Sequence, residues 1–219
     1  MKNFNNNIKI KISDKNVNYL NALKTMQKQV DNIIYHNGNE LIWFLNHNHI
    51  YTCGTSANKN EILKTTNIPI VQTNRGGKTT YHGPGQRIVY LMINLNNKKR
   101  NIRKFLNLVE QSVISLLKDF NIESTTFPNR VGIWITKSRG NILKKEKKIG
   151  AIGLRIKKWI TYHGLSFNIN PDLKYYNNIH ACGLKNYSAT SLNDLGIELS
   201  QKQFDEIFIN YFCKGLKKL

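Results

Sequence analysis

Apolar residues recur along the chain in two periods. Val17, Leu20, Leu23 and Val30 share one helical face, and Ser13-Asp14 ahead of them offer a cap, so the spacing predicts an amphipathic helix to about Ile34. Ile102, Phe105, Leu106, Val109, Val113, Leu116, Leu117 and Phe120 predict a second helix. Phe204, Ile207, Phe208 and Tyr211 predict a third over 200–212. The remaining apolar residues fall in short runs. Leu41 to Leu45 and Ile50 to Thr52, split by Asn46-His47-Asn48-His49, read as two strands of a hairpin. Ile68 to Val71 reads as an edge strand, because Pro69 cannot donate to a ladder. Arg87 to Leu95 is nearly continuous in apolar character, the signature of a strand covered on both faces.

Val131 to Ile135, Lys148 to Ile156 and Trp159 to Asn168 predict three more strands, the last two joined tightly at Lys157-Lys158. Strands in hairpin-like runs with helices interspersed predict an α+β fold with a mixed, largely antiparallel sheet. No composition shift marks a boundary, so residues 1–219 are expected to form a single domain.

The 219 residues are 40% hydrophobic, which excludes wholesale disorder, and no apolar run reaches the roughly 18 residues of a membrane span. The Asn/Lys-rich start from Met1 to Ile12 lacks the apolar core of a signal peptide, so a soluble cytoplasmic protein is expected. Cys53, Cys182 and Cys213 are odd in number and widely spaced, which fits free thiols and no zinc tetrad. The net charge of +20 fits either compositional drift toward Lys, Asn and Ile or an acidic partner. The cations are scattered and not interleaved with aromatics, as a nucleic-acid platform would require.

Four segments carry candidate chemistry. Arg75-Gly76-Gly77-Lys78-Thr79-Thr80-Tyr81-His82-Gly83-Pro84-Gly85-Gln86 packs four glycines between apolar strands, more than a turn needs, and lets a ligand approach the backbone. It contains neither a Walker A loop nor a dinucleotide fingerprint. Lys148-Ile149-Gly150-Ala151-Ile152-Gly153-Leu154-Arg155 alternates small and apolar residues, as a strand does when something lies close against one face. Thr161-Tyr162-His163-Gly164-Leu165-Ser166-Phe167-Asn168 leads into Asn170-Pro171-Asp172-Leu173. His180-Ala181-Cys182-Gly183-Leu184 puts a cysteine in a polar, turn-rich stretch, an unusual setting for packing.

Taken in order, these segments resemble the lipoyl(octanoyl) transferase family of protein lipoylation. The resemblance runs from about 40 to 195 and includes ELIWFLNHNHIYTCGTSA at 40–57 and Thr190-Ser191-Leu192. It implies the mixed-sheet fold of biotin/lipoate-attachment catalytic domains and a Cys/Lys dyad. By motif position the cysteine is Cys182 and the lysine, immediately before the Ile of the KI pair, is Lys148. Ala181 stands where the family commonly has Pro. The resemblance further implies that Arg75, Gly76, Gly77, Lys78, Thr79, Thr80, Tyr81, His82, Ala151, Ile152, Gly153, Gly164, Leu165 and Ser166 line the substrate.

The implied reaction moves an octanoyl group from octanoyl-acyl carrier protein to a lysine ε-amine of lipoyl domains. These include the E2 subunits of 2-oxoacid dehydrogenases and the glycine-cleavage H protein. No metal or cofactor is implied, and the protein is expected to be a monomer that binds neither nucleic acid nor membrane. A free thiol has pKa about 8.5, so a nearby ammonium is the expected means of forming the thiolate. Gly150, Ala151 and Gly153 are expected to leave room for the acyl chain, and His82 and His163 to organise the site. Three other readings stand beside this one: an ATP-dependent lipoate or biotin ligase of the same fold, a basic nucleic-acid-binding module, and a catalytically dead scaffold or carrier-binding member of the family, against which the retention of Cys182 and Lys148 argues.

Overall fold

The computed structural model describes residues 2–4 (through their backbone), 8–64, 67–128, 130–180 and 187–219. Eleven strands form two sheets among them: β1 (Lys2–Phe4), β2 (Ile8–Ile12), β3 (Glu40–Leu45), β4 (Ile50–Cys53), β5 (Ile70–Gln72), β6 (Thr79–His82), β7 (Gln86–Met92), β8 (Ile122–Phe127), β9 (Arg130–Ser138), β10 (Asn141–Lys157) and β11 (Ile160–Asn168). The helices are α1 (Tyr19–His36), α2 (Ile102–Lys118) and α3 (Gln201–Leu216). The large sheet runs β1-β2-β3-β7-β11-β10-β9-β8, and the small one β5-β4-β6. Only β2–β3 and β4–β5 pair in parallel, so the mixed, largely antiparallel α+β architecture is as expected.

The central strands are apolar throughout because both faces are covered. On β3, Leu41, Trp43 and Leu45 pack toward Ala22, Met26, Val30 and Ile33 of α1. Ile42 and Phe44 pack instead with Phe105, Val109 and Val113 of α2 and Phe204, Phe208 and Phe212 of α3. β7 divides likewise, with Ile88, Tyr90 and Met92 on the first face and Val89 and Leu91 on the second. No helix among the described residues is long and apolar enough to cross a membrane.

Three local readings are corrected. β3 and β4 do not form a hairpin; β3 pairs with β2 and β7, whereas β4 leaves for the small sheet and pairs with β5 and β6. Helix α1 starts at Tyr19, capped by the Asn18 side chain accepting from the Asn21 N–H. Ser13 instead accepts from the Trp43 indole. The stretch 79–82, read within a glycine-rich loop, is strand β6, its side chains alternating between faces. The predicted β10–β11 hairpin holds, with Lys158 and Trp159 both at positive φ in the turn. α3 begins with a complete capping box from Ser200 and Gln203.

One buried ion pair fastens α3 to the sheet. Arg87 donates Nε and Nη2 to the two carboxylate oxygens of Asp205 at 2.9 and 2.5 Å, and Nη1 to Asn46 Oδ1 at 2.9 Å. Both side chains are almost fully buried. Burial raises the Asp205 pKa despite the arginine. Asp205→Ala would strand a buried guanidinium, and a loss of about 3–5 kcal/mol is expected from urea unfolding. A change under about 1 kcal/mol would show that the pair is dispensable to the fold.

Candidate active site

The two sheets enclose a cavity of about 330 Å³. Its walls come from the loop after β5, from β6, from the middle of β10 and β11, and from Ile88 and Tyr90 of β7. Of the predicted substrate-lining residues, Arg75, Gly77, Lys78, Thr80, His82, Ala151, Ile152, Gly153, Gly164, Leu165 and Ser166 line it. Gly76, Thr79 and Tyr81 do not. Thr79 and Tyr81 lie on the other face of β6, where the Thr79 N–H donates to Glu61 and the Tyr81 hydroxyl meets His49 Nδ1 at 2.7 Å. Alternation along a strand separates them from Thr80 and His82.

Glycines meet where the loop lies on β10. The Gly76 N–H reaches the Leu154 carbonyl at 3.3 Å, and a Cβ on Gly76 would stand 3.0 Å from that oxygen. A Cβ on Gly153 would stand 2.9 Å from the Gly76 carbonyl. The bare face of Gly153 thus admits the loop as well as lining the cavity, whereas Gly150 lines only the smaller cavity beside it. Room for a chain is left beside Ala151, Ile152 and Leu165.

Arg75 ties this loop to the small sheet. Its Nη2 donates to the carbonyl and hydroxyl oxygens of Thr52 at 2.5 and 2.8 Å, and its Nη1 to the Gly76 carbonyl at 3.0 Å. The Thr52 hydroxyl donates onward to His82 Nε2 at 3.2 Å. Gln86 Nε2 donates to the Tyr81 carbonyl, which leaves its Oε1 to accept from His82 Nδ1 at 2.7 Å. Both nitrogens of His82 are thus engaged within the wall.

His47 is satisfied in the same manner. Nδ1 donates to the Val17 carbonyl, and Nε2 accepts from the Tyr90 hydroxyl, each at 2.7 Å. His163, at φ 59 within a strand, lines the cavity and donates Nε2–H to Asn74 Oδ1 at 2.9 Å. Desolvation keeps all three rings neutral, lowering His47 to about 4 and His163 to about 3, the latter helped by the charges of Arg75 and Arg155. His82 falls well below 6.5 through burial, with His47 and Arg75 adding to the shift.

Lys148 lies beside this cavity, in a smaller one that shares Thr80 and Ala151 with it. Only 8% of the residue is exposed. Its Nζ donates to the Val131 carbonyl and sits 5.5 Å from the centre of the Trp134 ring. Gly132, at φ +126, makes room for it: a Cβ there would fall 2.3 Å from Lys148 Cε. A register shift between Lys148 and Gly150 in the β9–β10 pair marks a local irregularity that re-aims the strand here. Cys182, with Ala181 and Gly183, lies outside the described residues. The chain beyond it returns to Lys148, where Ala189 bridges in parallel to the lysine.

The sequence reading missed Tyr19, Ser56, Ile88, Tyr90, Arg130 and Val131 in the cavity wall. Tyr19 opens α1 and stacks on His82 with centroids 6.1 Å apart, a helix-end aromatic indistinguishable in sequence from core. Arg130 stands over Phe127 at 3.7 Å and Tyr187 at 4.6 Å and pairs with Glu146 at 3.2 Å. Val131, 53% exposed, forms the mouth. No group of three or more His, Cys, Asp or Glu among the described residues is placed to hold a metal ion.

The fold is that of lipoate-ligase catalytic domains. The chain belongs to the lipoyl protein ligase A/B catalytic-domain family, whose model matches residues 18–213. It is 43% identical to an octanoyltransferase of Bartonella bacilliformis, over 90% of this chain and 87% of that protein. It is 42% identical to an octanoyltransferase of the Wolbachia of Brugia malayi, over 93% and 97%. The crystal structure of a lipoate-protein ligase A bound with ATP superposes with a TM-score of 0.68 over 96% of this chain and 86% of that one, at 14% identity.

The neutral histidines make stability depend on pH. Their folded pKa values lie below the unfolded value near 6.5, so the unfolded chain binds protons first. The stabilisation is complete above pH 6.5 and is lost as pH falls toward 4. Urea unfolding at pH 7.5 and pH 5 should differ by on the order of 1–2 kcal/mol per buried histidine. Equal stability at the two values would show that these rings accept protons in place.

Proposed function

We propose that this chain passes an octanoyl group from the thioester of an acyl carrier protein to the lysine ε-amine of a lipoyl domain, through a thioester on Cys182. Octanoyl transfer in protein lipoylation is the activity of its family at this level of identity. The ligase likeness, at 14% identity, extends to the fold and carries no argument for adenylate chemistry. The acyl carrier protein as donor, Cys182 as nucleophile, the H protein as a further acceptor, a monomeric cytoplasmic enzyme and a single domain over residues 1–219 complete the reading.

The observation that carries it is Lys148: a buried amine in the smaller cavity that shares Thr80 and Ala151 with the larger one, its stem seated over Gly132. Placed beside Cys182, its ammonium would hold the thiol as thiolate. The thiolate attacks the donor carbonyl, and the tetrahedral oxyanion collapses with expulsion of the carrier's sulfur, which takes a proton from Lys148 and departs as a thiol. The neutral amine of the acceptor lysine then attacks the enzyme thioester. An amide forms, Cys182 leaves as thiolate, and the amine's proton passes to the neutral Lys148, which restores the ammonium. The acyl chain would occupy the slot beside Ile152 and Leu165, each buried methylene contributing roughly 0.8 kcal/mol.

The charge of the chain supports an acidic donor. Exposed Lys144 and Lys145 precede Lys148 on β10, and Lys78 stands half-exposed at the cavity. Such a field speeds the encounter with an acidic partner.

Intact-protein mass spectrometry after mixing with octanoyl-acyl carrier protein, without acceptor, tests this reading. The expected result is one octanoyl adduct, removed by hydroxylamine and lacking in Cys182→Ala. No adduct on folded protein, or an adduct that Cys182→Ala retains, would refute the covalent step.

A further inference from the structure

β11 ends at Asn168, opposite Gln86 of β7, while β10 pairs with β11 only from Gly150 onward. At Lys148 another segment takes over the edge that β11 has left. Lys148 N–H donates to the Ser188 carbonyl at 2.9 Å, and Thr190 N–H donates back to the Lys148 carbonyl at 2.8 Å. Asn168 stands at this junction, 3% exposed, with both its amide oxygen and its amide nitrogen hydrogen-bonded.

Asn168 Nδ2 donates to the Thr190 carbonyl at 2.9 Å. Its Oδ1 accepts from Gln86 Nε2 and from the Tyr176 hydroxyl, each at 3.0 Å. Tyr176 belongs to the short 3-10 turn Leu173–Asn178, which precedes position 182, and Thr190 follows it. The turn is itself held down, since Leu63 N–H donates to the Asn178 carbonyl at 2.9 Å and Tyr51 hydroxyl to the Tyr175 carbonyl at 2.8 Å. One side chain thus ties both flanks of the stretch containing Cys182 to the sheet.

The same amide closes a one-directional relay of donors. Arg75 donates to Thr52, Thr52 to His82, His82 to Gln86, Gln86 to Asn168, and Asn168 to the Thr190 carbonyl. Every bond in such a chain polarises the next, and a buried network of this sort is fixed only when each member is satisfied. It runs from the glycine loop over the cavity to Thr190, the residue whose own N–H separately pairs with the Lys148 carbonyl.

We propose that Asn168 is a positioning residue of the acyl transfer: it sets the register of the 187–190 segment against Lys148 and so fixes where the lysine presents its amine. This rests on the reading of Cys182 and Lys148 given above. Asn is required because both amide functions are used. An aspartate of the same shape would keep the two acceptor bonds and set a lone pair against the Thr190 carbonyl.

Asn168→Asp tests the Thr190 side of the junction, and Tyr176→Phe, which removes one hydroxyl, tests the other without emptying the core. Single-turnover octanoylation by octanoyl-acyl carrier protein and the pH profile of iodoacetamide alkylation at Cys182, followed by peptide mass spectrometry, are compared with wild type. The expected result in each variant is an acylation rate constant lower by at least about tenfold, with half-saturating donor within about twofold. The alkylation midpoint should also move up toward the free-thiol value of about 8.5. Folded variants with wild-type rate constants and alkylation midpoints would overturn the proposal, whatever their loss in Tm. A wild-type protein that forms no octanoyl adduct would instead overturn the Cys182 reading beneath it.

Discussion

The site depends on one close approach of two backbones. The loop carrying Gly76 and Gly77 lies directly on β10 at Gly153 and Leu154, at distances that no Cβ on either chain would permit without displacement. That contact brings the small sheet over the large one and encloses the cavity between them. Arg75 holds the loop from the other side through Thr52 on β4. Substituting either glycine would lift the roof of the cavity before it changed any chemistry.

A buried arginine so near an apolar slot shapes the charge of its surroundings. His82 and His163 stay neutral because they are desolvated and because this cation faces them, and each ring holds its tautomer by a fixed hydrogen bond. The cavity wall therefore sets neutral rings beside one buried cation, Arg75, with Lys78 and Arg130 also lining it and Lys148 to one side. Such a layout receives an apolar chain whose thioester end must meet a nucleophile.

Much of this was legible in residue patterns. Continuous apolar runs marked the strands with two covered faces, and helical spacing marked α2 and α3. Glycine density between Arg75 and Gln86 pointed to a close backbone approach, although the partner proved to be another strand. The pairing of β3 and β4 was misread because Asn46 to His49 looks like a hairpin turn, whereas the fold uses it to cross from one sheet to the other. Local pattern carries no record of which sheet a strand joins. Tyr19, Tyr90 and Arg130 were missed for a related reason: each sits on an element whose burial it shares, and only tertiary placement turns it to the cavity. Asn168 and Thr190 appeared as ordinary members of their motifs, and their meaning lies in a junction that brings together four separate stretches of chain.

The account stands on a covalent relay that needs no nucleotide. Its most direct test is a chase: octanoyl-loaded enzyme, freed of donor, is mixed with unmodified lipoyl domain in the absence of ATP, and both proteins are weighed by mass spectrometry over time. The account predicts that the enzyme loses its octanoyl group as the lipoyl domain gains one on a single lysine. Release of free octanoate without transfer, or transfer that begins only when ATP and free octanoate are supplied, would contradict it.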